Sequence, residues 1–246
     1  SKKTYKHLNM NRSMSLVMLL AILVSVADAA WEDAHATFYG DISGKETMQG
    51  ACGYGDLFQK VMETAALSTA LFNNGQTCGA CFELTCVNSQ WCKQNAESQQ
   101  PTSAHPTTHP PVDIHWCNPP NKHFDLSMKM FTSIAEYKSG IVPVKFRRVK
   151  CQKRGGVRFE VKGNPNFIMV LVYNVGGAGD VNSLAIKGIR VTGSLCRGTG
   201  GRIGTLVRTK TLVYSEDSDG RSLTFYDVAS ESWGFGQTFE AKSNFY

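Results

Sequence analysis

The spacing of apolar residues changes character along the chain. Residues 61–72 (VMETAALSTALF) carry apolar side chains at helical intervals, and Asn73, Asn74 and Gly75 follow as a stop, which predicts a short amphipathic helix. A second helix is predicted over residues 127–138, because Leu126, Met130 and Ile134 stand four apart and fall on one face. Beyond these the helical period disappears. Residues 157–161 alternate, 167–173 are continuously apolar, and 184–186, 206–214 and 222–228 follow with turn residues between them, the pattern of short strands in a sandwich. The change falls at Lys153, Arg154, Gly155 and Gly156, where charge and glycine mark a joint.

At the start, Lys2, Lys3, Lys6 and Arg12 precede an apolar run over residues 16–24 that closes on Ala27-Asp28-Ala29. This reads as a secretory signal peptide over residues 1–29, its apolar run being shorter than the roughly 20 residues a membrane span needs. The expected organisation is therefore a signal peptide, a first domain over 30–154 and a second over 155–246. Without the first 29 residues, which hold four basic groups and one acid, the net charge falls from +6 to +3. A whole-chain electrostatic argument for nucleic-acid binding loses its force. The 246 residues are 42% hydrophobic and 19% charged, with 23 Gly and 8 Cys, which excludes a disordered or collagen-like chain and points to a turn-rich, disulfide-bearing β protein.

The candidate chemistry is thin once each group is weighed. Cys78-Gly79-Ala80-Cys81 has the spacing of a zinc knuckle or a redox pair, yet Cys52, Cys86, Cys92, Cys117 and Cys151 surround it behind a signal peptide, and disulfides are expected. Spacing alone leaves their connectivity open. His105, His109, His115 and His123 resemble a metal set, but Pro106, Pro110 and Pro111 forbid the helix that would aim the first pair, so no metal or other cofactor is expected. Asp125 is either a functional acid in a cleft or the N-cap of the second helix, and sequence alone favours the cap. A glycosidase of the usual kind needs two carboxylates, and Asp41, Glu83 and Asp113 are partners by count only. Lys145, Arg147, Arg148, Lys150, Lys153 and Arg154 form a basic run that reads as an acidic-polysaccharide contact or one solvated strand face. Residues 176–180 (GGAGD) read as a turn, since no Lys-Ser/Thr pair and no helix follow as in a phosphate loop. Two segments, 99–111 (QQPTSAHPTTHPP) and 192–203 (TGSLCRGTGGRI), read as loop or low complexity.

Seven motifs in order carry a resemblance: HATFYG at 35–40, GACGYG at 50–55, AALSTALFNNG at 65–75, CGACFE at 78–83, WCNPP at 116–120, HFDL at 123–126 and FGQTF at 235–239. Together they resemble plant α-expansins. The resemblance implies a mainly β fold: a six-stranded double-psi β-barrel, similar to family 45 endoglucanases, then an immunoglobulin-like β-sandwich that binds polysaccharide. It implies disulfides Cys52–Cys78, Cys81–Cys151 and Cys86–Cys92, a groove lined by Thr37, Tyr39, His123 and Asp125, and sandwich contacts from Tyr173 and Trp233. It implies a secreted monomer of the plant cell wall, peripherally membrane-associated at most. Such a protein disrupts non-covalent contacts between cellulose and matrix glucans without hydrolysis, with xyloglucan and pectin among its partners and nucleic acid excluded. An inactive or purely polysaccharide-binding paralogue, or a glycoside hydrolase, are the other readings.

The departures from that pattern are concentrated in two blocks. Where α-expansins carry a strand resembling ITATNFCPP, this chain has the Pro/His/Thr stretch at 101–111, so a barrel strand is expected to be missing and Cys117 to lose its partner. In the second block the family's tryptophans are absent and Cys196 appears; Asn166 also stands where many members have tyrosine. Each block is an abrupt change between matched flanks, as a shifted reading frame produces.

Overall fold

The structure is a computed structural model that describes residues 30–40, 52–54, 64–94, 104–106, 116–164, 167–187, 201–203, 212–230 and 232–246. Six strands make one sheet: β1 (Glu32–Tyr39), β2 (Ala65–Leu67), β3 (Cys81–Cys86), β4 (Ala104–Pro106), β5 (His123–Ser127) and β6 (Val142–Val149). Their order is β3-β6-β1-β5-β2-β4, with β1 parallel to β5, β2 parallel to β4, and the other pairs antiparallel. Alternation along the strands sends Ala34 and Ala36 of β1, Phe124 and Leu126 of β5, and Val142, Val144 and Phe146 of β6 into one core. There Phe82, Phe124 and Phe146 meet edge to face, with ring centroids 5.0 to 6.0 Å apart. A helix, Met128–Ile134, covers this core with Met130, Phe131 and Ile134.

Three expectations for this half are corrected. The helix expected over 61–72 is a four-residue helix, Thr69–Phe72, and Ala65–Leu67 is a strand instead. The reason is that β2 lies between β5 and β4 with all three residues buried, so it is continuously apolar and mimics a helical face. The expected stop is present, with Asn73 in the left-handed region at φ 49°. The second helix begins at Met128, and Leu126 reaches the shared core from β5. Finally, the barrel strand expected to be missing has a three-residue stand-in, Ala104–Pro106, whose backbone pairs with Ala65–Leu67. Pro106 closes it at the sheet's edge, where a missing N–H costs least.

Seven further strands follow: β7 (Arg158–Asn164), β8 (Phe167–Tyr173), β9 (Ser183–Lys187), β10 (Gly201–Ile203), β11 (Leu212–Glu216), β12 (Ser222–Phe225) and β13 (Thr238–Glu240). They make two antiparallel sheets, β10-β8-β7-β13 and β12-β11-β9. A second core of Val157, Phe159, Ile168, Val170, Leu184, Phe225, Trp233 and Phe245 joins them. Gly201–Ile203, expected as loop, pairs with Ile168, Met169 and Val170 of β8. Residues 192–200, Cys196 among them, lie outside the described residues.

Between the two cores the chain runs through a tight joint. Cys151 N donates to Gly177 O at 2.7 Å, and Arg148 pairs with Asp180 at 2.9 Å while donating to Ala178 O at 2.7 Å. Gly79 and Gly179 meet backbone to backbone there, each at positive φ. A Cβ on Gly79 would stand 2.4 Å from Gly179 O, and one on Gly179 would stand 2.3 Å from Cys151 Sγ. The segment 176–180 is a turn, as expected. Disulfides link Cys52 to Cys78, Cys81 to Cys151 and Cys86 to Cys92, and Cys117 stands outside them. Among the described residues no helix is long and apolar enough to cross a membrane.

Candidate functional site: a polar face on the barrel sheet

The alternation that buries Ala34 and Ala36 turns His35, Thr37 and Tyr39 to the opposite face of β1. On β5 the same rule buries Phe124 and Leu126 and turns His123, Asp125 and Ser127 the other way. Because β1 and β5 run parallel in register, with His35 opposite His123, Thr37 opposite Asp125 and Tyr39 opposite Ser127, six polar residues form one double row. Thr37 is its centre. Its hydroxyl donates to Asp125 Oδ1 at 2.8 Å and lies 2.8 Å from His123 Nε2. Tyr39 shares a 2.8 Å hydroxyl–hydroxyl bond with Thr64, at the start of β2.

Burial sets the electrostatics of the row. It pushes the Asp125 carboxyl above its ordinary value, an effect that the Thr37 hydrogen bond partly offsets. It drives His123 down from 6.5 to about 4, with His35 adding to the fall, so the ring is neutral. Tyr39 is raised, first by burial and then by the charge of Asp125, against the pull of Thr64. His123 is only 2% exposed, and its Nδ1 meets no hydrogen-bond partner among the described residues. Its main chain is fixed by Ser68, whose Oγ accepts from His123 N at 3.1 Å and whose N donates to His123 O at 2.9 Å. Trp116 stacks on His35 at 4.5 Å and reaches His123 at 6.1 Å, walling this end of the row.

Several sequence expectations change here. Asp125 is no helix cap: β5 continues through Ser127, the helix starts after it, and the carboxyl serves Thr37. His123 stands in the row but beneath its surface. Trp233 is 3% exposed, in the sandwich core against Phe235, so it offers no open ring to a sugar. Tyr173 stays accessible on the outer face of β8, its hydroxyl 3.4 Å from Thr238, on the same side as Phe167, Met169 and Leu171. The basic run is largely spent on neighbours: Lys145 pairs with Asp33, Arg147 with Glu83 and Arg148 with Asp180. Glu83 is thus engaged, while Asp41, Asp113, His109 and His115 lie outside the described residues. Among the described residues no group of His, Cys, Asp and Glu could hold a metal ion. Trp116, His35, Thr64 and Ser68 are site residues that sequence reasoning did not single out; His35 is brought in by the parallel register of β1 and β5, Thr64 and Ser68 by the antiparallel pairing of β2 with β5, and Trp116 by its ring contacts, none of them visible in the sequence.

Comparison with known proteins agrees with this geometry. The family described as lytic transglycolase matches residues 64–146, and the one described as expansin C-terminal domain matches residues 157–199. Expansin-A23 of Arabidopsis thaliana is 51% identical over 89% of this chain and 82% of its own length. Expansin-A25 of the same plant is 50% identical over the same shares, and Expansin-A32 of Oryza sativa subsp. japonica is 42% identical over 87% and 84%. Among solved structures, the apo expansin of Clavibacter michiganensis matches with a TM-score of 0.65 at 17% identity, covering 88% of this chain and 98% of its own. A mutant of that protein in complex with cellohexaose matches with a TM-score of 0.64 at 16% identity, over the same shares. The fold is the mainly β arrangement expected: a double-psi barrel followed by a sandwich.

Proposed function

Because the chain belongs to the expansin family of wall-loosening proteins, we propose that it is a secreted, non-hydrolytic protein of the plant cell wall that separates cellulose from matrix glucans. The observation that carries this reading is that Asp125 is, among the described residues, the lone carboxyl of the β1–β5 face. Asp125 is half-buried, held by Thr37 and raised by desolvation, and no carboxylate among the described residues contributes to its charge state. Hydrolysis needs a second carboxylate about 5 to 9.5 Å away, as nucleophile or base. A single acid beside Thr37, Tyr39 and the Trp116 wall can instead hydrogen-bond a glucan, and its strength changes with protonation.

In this proposal residues 1–29 direct secretion, 30–154 form the barrel and 155–246 the sandwich. Thr37, Tyr39 and Asp125 line the glucan groove, and His123 supports it from below. The cellohexaose complex of the bacterial relative supports cellulose as the partner, with xyloglucan and pectin the matrix candidates. The sandwich contributes the outer face of β8, where Tyr173 and exposed Phe167 stand at opposite ends of the strand, while Trp233 is withdrawn from that role by its burial. The protein acts as a monomer without cofactor or nucleic acid, and any membrane association is peripheral.

That same loss of an aromatic contact favours a second reading, a wall-binding paralogue without loosening activity. Both readings are tested by extension of heat-inactivated walls under constant load at acidic pH, with reducing sugar assayed in the same tube. Creep without sugar, abolished in Asp125→Asn, supports the first. Binding without creep supports the second, and sugar release would restore the hydrolase.

A further inference from the structure

The three-residue chain His123–Thr37–Asp125 has a direction that hydrogen-bond arithmetic determines. Thr37 Oγ1 lies 2.8 Å from both Asp125 Oδ1 and His123 Nε2, and a hydroxyl carries one proton. An ionised carboxylate only accepts, so that proton goes to Oδ1. Thr37 must then accept from the other side, which requires the imidazole proton on Nε2. A neutral ring has one N–H, so Nδ1 is left a bare lone pair. Nδ1 is indeed buried with no hydrogen-bond partner among the described residues. A proton there would be buried unpaired, which disfavours both the other tautomer and the imidazolium.

We propose that His123 is a positioning residue that fixes this polarity, Nε2–H to Thr37 to Asp125 Oδ1, and thereby assigns the acid proton of Asp125 to Oδ2. Protonation on Oδ1 would either leave the Thr37 hydroxyl accepting from both sides, with its own proton displaced from this chain, or turn it to donate to Nε2 and force the imidazole proton onto Nδ1. Nothing described accepts it there. Asp125 therefore gains its proton on the oxygen left for a ligand, and the acid form is a donor of fixed direction. The inference deepens the reading of this face as a glucan groove, because it explains how the lone acid offers a donor in one protonation state and an acceptor in the other. Among the described residues the titratable groups facing the chain are His35 and Tyr39, both from β1; Trp116 adds an uncharged wall, and Ser68 holds the main chain. His123, at 2% exposure, acts through Thr37 and does not itself meet the glucan.

The test uses the whole protein and no glucan. Two-bond proton–nitrogen correlation spectra of histidine-labelled protein at pH 6 are expected to show His123 as the Nε2–H tautomer, with Nδ1 unprotonated. Carboxyl-carbon titration of Asp125 supplies the second readout. His123→Phe removes the donor, so Thr37 becomes a weaker donor in turn and the Asp125 midpoint should rise by about half a pH unit. His123→Gln, whose amide N–H can take the place of Nε2–H, should restore the wild-type midpoint. An Nδ1–H tautomer, an imidazolium at pH 6, or equal Asp125 midpoints in folded Phe and Gln variants would overturn the proposal. If the Phe variant does not fold, the tautomer spectrum alone decides. A protein that shows the Nε2–H chain yet loosens no wall would refute the proposed function and leave this inference standing.

Discussion

The polar face of the barrel and the outer face of the sandwich solve opposite problems. On β1 and β5, Thr37 and His123 are committed to bonds within the row, and burial shifts Tyr39, His123 and Asp125. On β7 and β8 the register sets Arg158 opposite Tyr173, Glu160 opposite Leu171 and Lys162 opposite Met169, so charged and apolar side chains alternate across one face, with Met169 and Tyr173 partly exposed and Leu171 buried. The first face is pre-organised and has few degrees of freedom to lose on meeting a ligand. The second is a broad surface which, in the proposed function, contributes contact area. Pre-organisation is what a directional acid needs, and area is what holds a protein on an insoluble polymer.

The comparison breaks most severely if either core is hollowed. Phe124→Ala in the barrel and Phe159→Ala in the sandwich should each cost about 3–5 kcal/mol in denaturant unfolding, since both rings are almost fully buried. Because the joint ties the halves through Arg148, Asp180 and Cys151, both variants should lower one common transition. Separate transitions would show that the faces are energetically independent.

A pH series sharpens the contrast next. His123 is lowered in the folded state from 6.5 to about 4, so the unfolded chain takes up its proton first, and stability is lost as pH falls through that window. The contribution is on the order of 3 kcal/mol. Asp125 is raised above 3.8, so its contribution has the opposite sign: it is present below 3.8 and is lost as pH rises through the folded value. Urea unfolding at pH 4 and 6.5 should therefore show a deficit at pH 4 in the wild type that shrinks in His123→Gln. An equal deficit in both would place the acid sensitivity elsewhere.

Thr37→Val removes the shared hydroxyl and leaves the buried Nε2–H without an acceptor, at a cost of about 1–3 kcal/mol in thermal unfolding. It should also raise the Asp125 midpoint further than His123→Phe does. The smallest effect belongs to the sandwich. Tyr173→Ala should leave stability within about 0.5 kcal/mol, and should weaken cellulose pull-down by roughly fivefold through the loss of one aromatic contact. Unchanged pull-down would remove the β8 face from the binding surface.

How much of this was legible depended on whether the signal was local. The strands at 157–161 and 167–173 were readable because each alternates or closes on turn residues, and β7 and β8 stand close to there. The motif HFDL marked Asp125, yet its local context also fits a helix cap. Only the parallel register with β1, some 88 residues away, shows that the carboxyl belongs to Thr37. Ala65–Leu67 failed for another reason, since a strand buried on both sides loses the alternation that identifies strands. Trp233 misled because an aromatic residue near a sugar-binding sandwich is equally a core residue, and only packing separates the two.

The glycines at the joint limit what can replace either half. Gly79 and Gly179 touch through main chain alone, at positions where a methyl group on one would strike the other's carbonyl or Cys151 Sγ. No side chain there can be exchanged for a complementary one, so drift in one half cannot be matched by drift in the other. Each half is therefore shaped to the other's main chain. A chimera that grafts a foreign sandwich onto this barrel must bring its own glycine to position 179, whatever else it changes.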